Sequence, residues 1–216
     1  GLPRGCAART DVTLAASTHA LLSGATSRAA AAWWHDHDDA AGWRAMEPAE
    51  IERVLARVAT QFDGVVPNLY RVLARSPVAL NAFVALEAML DHAPLLGRGA
   101  HALIALEVAV EARCRYCEGV FVKEAAAAGV ASESVEAVRR GAVPAVPADA
   151  DVVAATRRLV ATDGRLGRVE IAGFQDRGLG EAELLEILTV IATYRLATAA
   201  NNLARTRIDP EYRLDR

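Results

Sequence analysis

Apolar residues recur at helical spacing from Pro48 almost to the C-terminus, and this periodicity limits the fold more than any other feature. In the first such segment, Ile51, Val54 and Val58 lie on one helical face. Ser76 followed by Pro77 joins a helix-capping residue to a proline suited to the first helical turn. No stretch shows a convincing strand-like alternation. The sequence therefore predicts an all-α fold, built as two helical lobes joined near Pro144.

Proline, serine and glycine mark where these helices begin and end. The predicted helices cover residues 48–62, a short segment after Pro67, and residues 77–92, 100–112, 114–128, 132–140, 149–162, 167–176 and 181–205. Ser132 is the expected cap of its helix, and Gly129 ends the one before it. The inward residues expected on 77–92 are Leu80, Phe83, Val84, Leu86 and Leu90. The buried stripe expected on the last helix is Leu184, Leu185, Leu188, Ile191, Ala192 and Leu196.

Composition and charge narrow the classes of function. Apolar residues make up 53% of the 216, which is enough for a core and excludes disorder for most of the chain. The net charge is -3 and no basic cluster is present, so nucleic acid is not an expected partner. The most apolar stretch, residues 102–110, is too short for a membrane span and contains Glu107. Because the first residues lack a clean signal pattern, we expect a cytoplasmic protein.

Residues 1–46 differ in composition and are interpreted as an N-terminal extension of a helical domain that covers residues 47–216. Amphipathic spacing suggests helices at residues 11–22 and 27–35. Trp33 and Trp34 are interpreted as anchors of this extension. The run HDHDD at residues 35–39 carries metal-binding groups, but a solvated acidic loop is the preferred interpretation, and no metal is predicted.

Cys114 and Cys117 form a C-x-x-C pair directly after the apolar helix. Cysteines at this spacing at a helix start can form a disulfide with little strain, and the helix N-terminus together with Arg113 and Arg115 favours a thiolate at Cys114. In a reducing compartment such a pair is typical of a catalytic or sensory dithiol. Two alternatives stay open. In the first, the pair binds zinc, which would need two further ligands from Cys6 or the histidines. In the second, Cys114 and Cys117 are two unrelated buried thiols with no ligand and no chemistry.

Three segments resemble, in order, the carboxymuconolactone decarboxylase-like proteins and their alkylhydroperoxidase D-like branch. The first is GVVPNLYRVLARSP at residues 64–77. The second, residues 103–129, contains the C-x-x-C pair and an alanine-rich helix that ends at Gly129. The third begins at Gly178 and continues through Tyr194 to Asn201. Together the resemblance covers roughly residues 48–209.

The resemblance implies an all-α, alkylhydroperoxidase D-like helical bundle that assembles as a homotrimer or homohexamer. It also implies a chemistry in which Cys117 attacks a peroxide and Cys114 resolves the product as a disulfide. Such enzymes need no metal or organic cofactor. The expected partners are a small hydrophobic substrate and a thiol or protein reductant.

The resemblance further implies a proton relay made of a Glu twelve residues before the first cysteine and a His four residues after the second. This chain has Ala102 and Phe121 at those positions. The loss of general acid–base help costs a factor of about 10²–10⁴, so another group would have to substitute. Glu118 is our choice for that group. Phe121 is expected to line the core or an apolar pocket beside Cys117.

Other polar residues near the pair have functional and structural interpretations. Glu107 and Glu111 are candidates for the acid–base role, although pairing with arginine or simple exposure on a helix explains them as well. His101 is equally explained as a capping or packed residue, and Tyr116 lies between the two cysteines. Asn201 and the adjacent Asn202 could face a site between subunits, but helix-surface positions are the preferred interpretation.

Three hypotheses follow. The first is a thiol-dependent peroxidase whose catalytic residues are Cys114, Cys117 and Glu118. The second is a non-redox enzyme, a decarboxylase, isomerase or cyclase, on the same scaffold. The third is a non-catalytic, redox-sensing oligomer.

Overall fold

Residues 48–92 and 95–214, which the computed structural model describes, fold into helices joined by short turns. The helices are α1 (Pro48–Gln61), α2 (Asn68–Leu73), α3 (Pro77–His92), α4 (Arg98–Glu111), α5 (Arg115–Ala127), α6 (Ser132–Arg139), α7 (Pro147–Thr162), α8 (Arg168–Gln175) and α9 (Glu181–Ala204), followed by a 3-10 turn at Pro210–Tyr212. No β-strand occurs in these two ranges. The all-α prediction is therefore confirmed.

Local chemistry explains most of the helix boundaries. The Ser76 hydroxyl accepts a hydrogen bond from the Ala79 N–H at 3.3 Å, as a residue that caps α3 should. Gly129 follows α5 with a φ of 78°, a conformation that costs glycine little. The cap predicted for α6 is wrong by one residue. Ala131 occupies the N-cap position, and Ser132 is already the first helical residue.

Helix α4 is the centre of the bundle. Helices α5, α6, α7 and α9 all pack on it. Its buried residues surround the helix axis, as expected of a helix covered on all sides: Ala102, Leu103, Ile104, Ala105, Leu106, Val108 and Ala109. Because helices before and after Pro144 share this one core helix, they form one compact unit. The expected division into two lobes near Pro144 is therefore wrong.

The turn between α4 and α5 sets the position of the two cysteines. Arg113 adopts the left-handed conformation, with a φ of 50°, and so reverses the chain after α4. The Cys114 N–H then donates to the carbonyl of Ala109 at 2.9 Å, which closes the end of α4. Cys114 is the N-cap of α5, and Cys117 lies in its first turn. The helix start that the sequence predicted for the C-x-x-C pair is confirmed.

The segment after α9 lies against α5. A Cβ atom at Gly119 would stand 1.9 Å from the carbonyl oxygen of Tyr212, so only glycine allows this close crossing. The buried Asp209 carboxylate fixes the segment by accepting hydrogen bonds from the Tyr116 hydroxyl at 2.5 Å and the Asn68 N–H at 3.0 Å. This C-terminal segment, residues 206–212, therefore becomes part of the wall around Cys117.

In the part of the chain described, no helix has the length and apolar character needed to cross a membrane. The proposed N-terminal extension at residues 1–46, its two suggested helices, Trp33, Trp34 and the acidic run at 35–39 lie outside the described residues. That division of the chain stays a prediction.

Candidate dithiol site

The two cysteines of the C-x-x-C pair are free, and each is only 2% exposed. They line different hollows. Cys117 forms part of the wall of a cavity of about 530 Å³, whereas Cys114 borders a shallower pocket of about 320 Å³. Both cysteines are thus buried, and each borders a different cavity.

The two thiols differ in acidity because they interact with each other. A hydrogen bond from Cys117 lowers the pKa of Cys114 to about 7, and the N–H groups of Cys117 and Tyr116 contribute in the same direction. The same hydrogen bond, together with burial, raises the pKa of Cys117 above its ordinary value. Near neutral pH Cys114 is therefore partly ionised, and the negative charge of the pair lies on its sulfur while Cys117 keeps its proton.

Asn201 on α9 is the polar side chain that contacts Cys117. Its side chain is buried, and the Nδ2–H donates to the Cys117 sulfur at 3.3 Å. This contact favours the thiolate and opposes the effects that raise the pKa of Cys117. The preferred interpretation of Asn201 as a plain helix-surface residue is wrong.

The larger cavity has mainly aromatic and aliphatic walls. Phe121 on α5 packs edge-on against Tyr194 of α9, with ring centroids 4.6 Å apart, and Phe83 and Tyr70 continue the aromatic wall. Ala102 and Phe121, at the two relay positions of the resemblance, both line this cavity. The expectation that Phe121 borders an apolar pocket beside Cys117 is confirmed.

Three carboxylates line this cavity, Glu87 and Asp91 of α3 and Glu124 of α5, and Glu87 has a clearly raised pKa. The Glu87 carboxylate accepts a hydrogen bond from the Tyr70 hydroxyl at 2.6 Å. Burial raises the pKa of Glu87 to about 7, against the lowering effect of that hydrogen bond. At neutral pH this carboxyl group therefore exists in both protonation states, as a general acid or base requires.

Tyr194 lies near both chemical groups. Burial raises the pKa of Tyr194, and the charge of Glu87 and, more weakly, that of Cys117 act in the same direction. Tyr194 lines the larger cavity together with Glu87 and Cys117.

The carboxylates considered from the sequence lie elsewhere. Glu118 forms an ion pair with Arg139 at 2.9 Å and is not among the residues that line the larger cavity. Glu107 pairs with Arg157 at 2.8 Å, and Glu111 pairs with Arg195 at 3.2 Å. The interpretation of Glu107 and Glu111 as arginine partners is confirmed, and Glu118, our choice for the acid–base group, forms an ion pair of the same kind.

His101 and Tyr116 have structural partners. His101 lines the larger cavity, but its Nε2 lies 2.6 Å from Glu186, which also accepts the N–H groups of Leu95 and Leu96. The structural interpretation of His101 as a packed residue is confirmed. Tyr116 lines both hollows and holds the C-terminal segment through Asp209.

The zinc alternative finds no further ligands near the pair. Across residues 48–92 and 95–214, no group of three His, Cys, Asp or Glu side chains is arranged to hold a metal ion. Cys6 and the histidines of residues 35–39 lie outside those ranges.

The sequence contains a signal for Glu87 that the sequence analysis missed. Glu87 follows Phe83 by four residues and precedes Leu90 by three, so it lies on the predicted apolar face of α3. A carboxylate on such a face is a candidate for a shifted pKa. Asn201 gives no comparable signal, because the assumed stripe of α9 included Leu185, which is 58% exposed.

Comparisons with known proteins support the fold and not a particular activity. No protein-family model matches the sequence, and no curated protein matches it. An uncharacterized peroxidase-related protein from Ralstonia eutropha, described as an alkylhydroperoxidase AhpD core, superposes with a TM-score of 0.68 at 17% identity, over 79% of this chain and 93% of that one.

Two further solved structures are similar. A peroxidase-related protein from Silicibacter sp. gives a TM-score of 0.65 at 16% identity, over 79% of this chain and 92% of that chain. An alanine variant of the debrominase Bmp8, in complex with 2,3,4-tribromopyrrole, gives 0.60 at 19% identity, over 77% and 91%. This chain therefore has the alkylhydroperoxidase D-like fold that its three sequence segments predicted.

Proposed function

We propose that this chain is a dithiol peroxidase that reduces a hydrophobic organic hydroperoxide, with Cys117 as the attacking thiol and Cys114 as the resolving thiol. One observation carries the proposal: Cys117 and Glu87, a carboxyl group with a pKa of about 7, line the same largely aromatic cavity. In this proposal Glu87 takes the acid–base role for which the sequence suggested Glu118, because Glu118 is paired with Arg139.

The first step moves a proton between the two sulfurs. The Cys114 thiolate, with a pKa near 7, accepts the proton of Cys117 along the hydrogen bond that joins them. The Asn201 N–H, 3.3 Å from the Cys117 sulfur, stabilises the thiolate formed there. The negative charge is thereby moved to the sulfur that faces the larger cavity.

The second step breaks the peroxide. The Cys117 thiolate attacks the terminal oxygen of the hydroperoxide, so an S–O bond forms and the O–O bond breaks. Glu87 gives its proton to the departing alkoxide, directly or through Tyr194, and the product leaves as an alcohol. Cys117 is now a sulfenic acid.

The third step closes the disulfide. The Cys114 sulfur attacks the Cys117 sulfur, an S–S bond forms, and the S–O bond breaks. The departing hydroxide leaves as water with the proton that Cys114 received in the first step. Two thiols and one hydroperoxide thus give one disulfide, one alcohol and one water, and Glu87 takes a proton back from solvent.

The cavity favours an apolar substrate. Its volume of about 530 Å³ suits a small aromatic or aliphatic hydroperoxide, and rings from α2, α3, α5 and α9 line it among aliphatic side chains. We therefore choose cumene hydroperoxide as the test substrate and hydrogen peroxide as its polar comparison.

Stopped-flow oxidation of the reduced protein tests the proposal. The parent protein is expected to lose two thiols per hydroperoxide, faster with cumene hydroperoxide than with hydrogen peroxide. Cys117→Ser should react no faster than free cysteine, and Cys114→Ser should stop at a sulfenic acid that dimedone traps. Oxidation of the parent protein at the rate of free cysteine would exclude the peroxidase.

Reductive dehalogenation is the second candidate, favoured by the aromatic cavity and by the debrominase that shares the fold. In this reaction the ring carbon takes a proton from Glu87, the Cys117 sulfur takes the bromine, and Cys114 displaces bromide to form the disulfide. The protein would then release bromide from a brominated pyrrole or phenol, one ion per disulfide formed. Bromide release without peroxide reduction would favour this function over the first.

The remaining alternatives make different predictions. A non-redox decarboxylase, isomerase or cyclase keeps its activity when Cys114 and Cys117 are both changed to Ser. A redox sensor forms a reversible disulfide and never completes a cycle when substrate and reductant are both supplied.

A further inference from the structure

The pocket beside Cys114 is built differently from the larger cavity. It holds about 320 Å³ and is open to solvent. The turn before α5 and the end of α9 form its walls, which are mostly polar: Arg113, Cys114, Arg115, Tyr116, Asn201, Asn202, Arg205, Thr206 and Ile208. In the cycle proposed above, the peroxide enters the larger cavity and does not occupy this pocket.

Two residues that line this pocket each have a buried side-chain oxygen without a hydrogen-bond partner. Asn201 is 3% exposed, and while its Nδ2–H contacts Cys117, its Oδ1 makes no hydrogen bond. The Thr206 Oγ1 is also buried and unpaired. Among the described residues, only Ser134 has another such side-chain atom, so two of the three border one small pocket. Unpaired buried polar atoms are costly, so a hydrogen-bond donor that reached these oxygens would be bound favourably.

The same pocket carries three free cations. Arg113, Arg115 and Arg205 form no ion pair with another residue of 48–92 or 95–214. Guanidinium groups bind carboxylates strongly, in a paired geometry. The pocket therefore offers cations at its rim and unpaired hydrogen-bonding oxygens in its wall.

We infer that this pocket binds the reductant, a small thiol that carries carboxylates and an amide, and presents it to Cys114. The arginines would hold the carboxylates, and an amide N–H would donate to the Asn201 Oδ1. The inference rests on the proposed function, because it supplies the reducing half of that cycle. Peroxide and reductant then use separate entrances to one disulfide.

The exchange proceeds in two balanced steps. The thiolate of the reductant attacks the Cys114 sulfur, the S–S bond breaks, and Cys117 leaves as a thiolate that the Asn201 N–H stabilises. A second reductant thiolate attacks the reductant sulfur of the mixed disulfide and releases Cys114 as a thiolate. Two reductant thiols are oxidised to one disulfide, and the protein disulfide is reduced to two thiols.

Thiols that differ in charge test the inference directly. The protein is first oxidised with diamide, so that the Cys114–Cys117 disulfide is present whether or not peroxide is a substrate. Its reduction is then timed with glutathione, glutathione diethyl ester and 2-mercaptoethanol, each rate divided by that thiol's rate with a neutral model disulfide. Glutathione is expected to exceed the ester by about tenfold at low salt, and this advantage should shrink as ionic strength rises.

Charge reversal locates the effect. The double variant Arg115→Glu, Arg205→Glu should lose the advantage of glutathione over its diethyl ester, measured as the ratio of their normalised rates, because any change in the reactivity of Cys114 itself affects both thiols. Arg75→Glu is the matched control, because Arg75 is exposed and lines neither hollow. Thr206→Val, which removes an unpaired hydroxyl, should slow glutathione and not 2-mercaptoethanol.

Variants that keep one cysteine of the pair, made in a Cys6→Ser background, identify the sulfur that is attacked. Cys117→Ser leaves only Cys114 of the pair, and it should form a mixed disulfide with oxidised glutathione faster than with the neutral 2-hydroxyethyl disulfide. Cys114→Ser, which leaves Cys117, should show no such preference.

Equal normalised rates for glutathione and its ester would overturn the inference. So would a glutathione advantage that survives the charge reversal, or a preference for oxidised glutathione shown by Cys117 and not by Cys114. If the protein does not turn over peroxide but still prefers the charged reductant, the proposed peroxidase function is excluded and this inference stands. Peroxide turnover without the charge preference would remove this inference alone.

Discussion

Two titrating groups at the residue scale set the pH dependence. The Cys114 thiol must be ionised to accept the Cys117 proton, and a hydrogen bond from Cys117 lowers its pKa to about 7. Glu87 must be protonated to give its proton to the alkoxide, and burial raises its pKa to about 7. We predict that the rate of peroxide reduction rises with pH through the first titration and falls through the second, with a narrow maximum near neutrality. Stopped-flow rates at constant ionic strength between about pH 5 and 9 measure this profile.

Glu87→Gln and Glu118→Gln form a matched pair that identifies the acid. Glu87→Gln cannot donate a proton, so the rate should fall about 100-fold and the alkaline limb of the profile should disappear. Glu118→Gln removes an ion pair outside the larger cavity and should leave both the rate and the profile unchanged. The reverse pattern would return the acid–base role to Glu118, as the sequence first suggested.

The same carboxyl group links stability to pH. Burial raises the pKa of Glu87 from 4.5 to about 7, so between these values the folded state holds a proton that the unfolded chain releases. The free energy of unfolding therefore falls as pH rises through this window, by up to ~3 kcal/mol. Glu87→Gln stays neutral and should lose this fall, which would make it more stable than the parent at pH 8. Urea unfolding of both proteins at several pH values measures the difference, and parallel curves would contradict it.

At the scale of elements, the crossing of the C-terminal segment over α5 depends on Gly119. An alanine Cβ there would stand 1.9 Å from a backbone carbonyl oxygen of Tyr212, which cannot swing aside as a side chain can. We predict that Gly119→Ala displaces the segment, lowers the free energy of unfolding by about 1–3 kcal/mol and speeds hydrogen exchange at residues 209–212.

Gly173→Ala is the matched control for that substitution. Gly173 also lies inside a helix, and its added Cβ would meet only the end of the Arg177 side chain at 3.7 Å. This variant should be stabilised by about 0.5–1 kcal/mol through helix propensity. Equal effects of the two alanines would show that the crossing of α5 by Tyr212 is not a tight constraint.

Hydrophobic periodicity predicted where the helices lie better than it predicted which side of each helix is buried. Leu80, Phe83 and Leu90 on α3 are buried as expected, because one side of that helix faces the core. Helix α9 packs against α2, α3, α4, α5 and α7, so its buried surface is wide and turns along the helix. A single assumed stripe therefore placed Leu185 and Ala192 inside and left Asn201 outside.

At the scale of the whole molecule, the site joins side chains that are far apart in sequence. Glu87 comes from α3, Cys117 from α5, and Tyr194 and Asn201 from α9. The C-x-x-C spacing predicted one helix start and its chemistry, because both cysteines belong to one local element. No local pattern states which residue of another helix reaches them, since tertiary packing alone decides that.

Assembly is the last prediction, and it rests on apolar residues that the single chain leaves exposed. Leu95 and Leu185 are 61% and 58% exposed, and the Leu95 N–H donates to Glu186, which places the Leu95 backbone beside the first turns of α9. Exposed leucines favour contact with a second surface. We predict that the chain associates, and light scattering tests the homotrimer or homohexamer that the family resemblance implies, as a multiple of the 22.9 kDa chain.

A charge placed among these leucines should weaken that assembly. Leu185→Glu is expected to lower the measured mass, because a buried carboxylate without a partner is costly in an interface. Val169→Glu, at an 86% exposed position on α8, is the control and should keep the parent mass. A parent mass near 22.9 kDa at micromolar concentration would contradict assembly, and an unchanged mass for Leu185→Glu would remove this face from the interface.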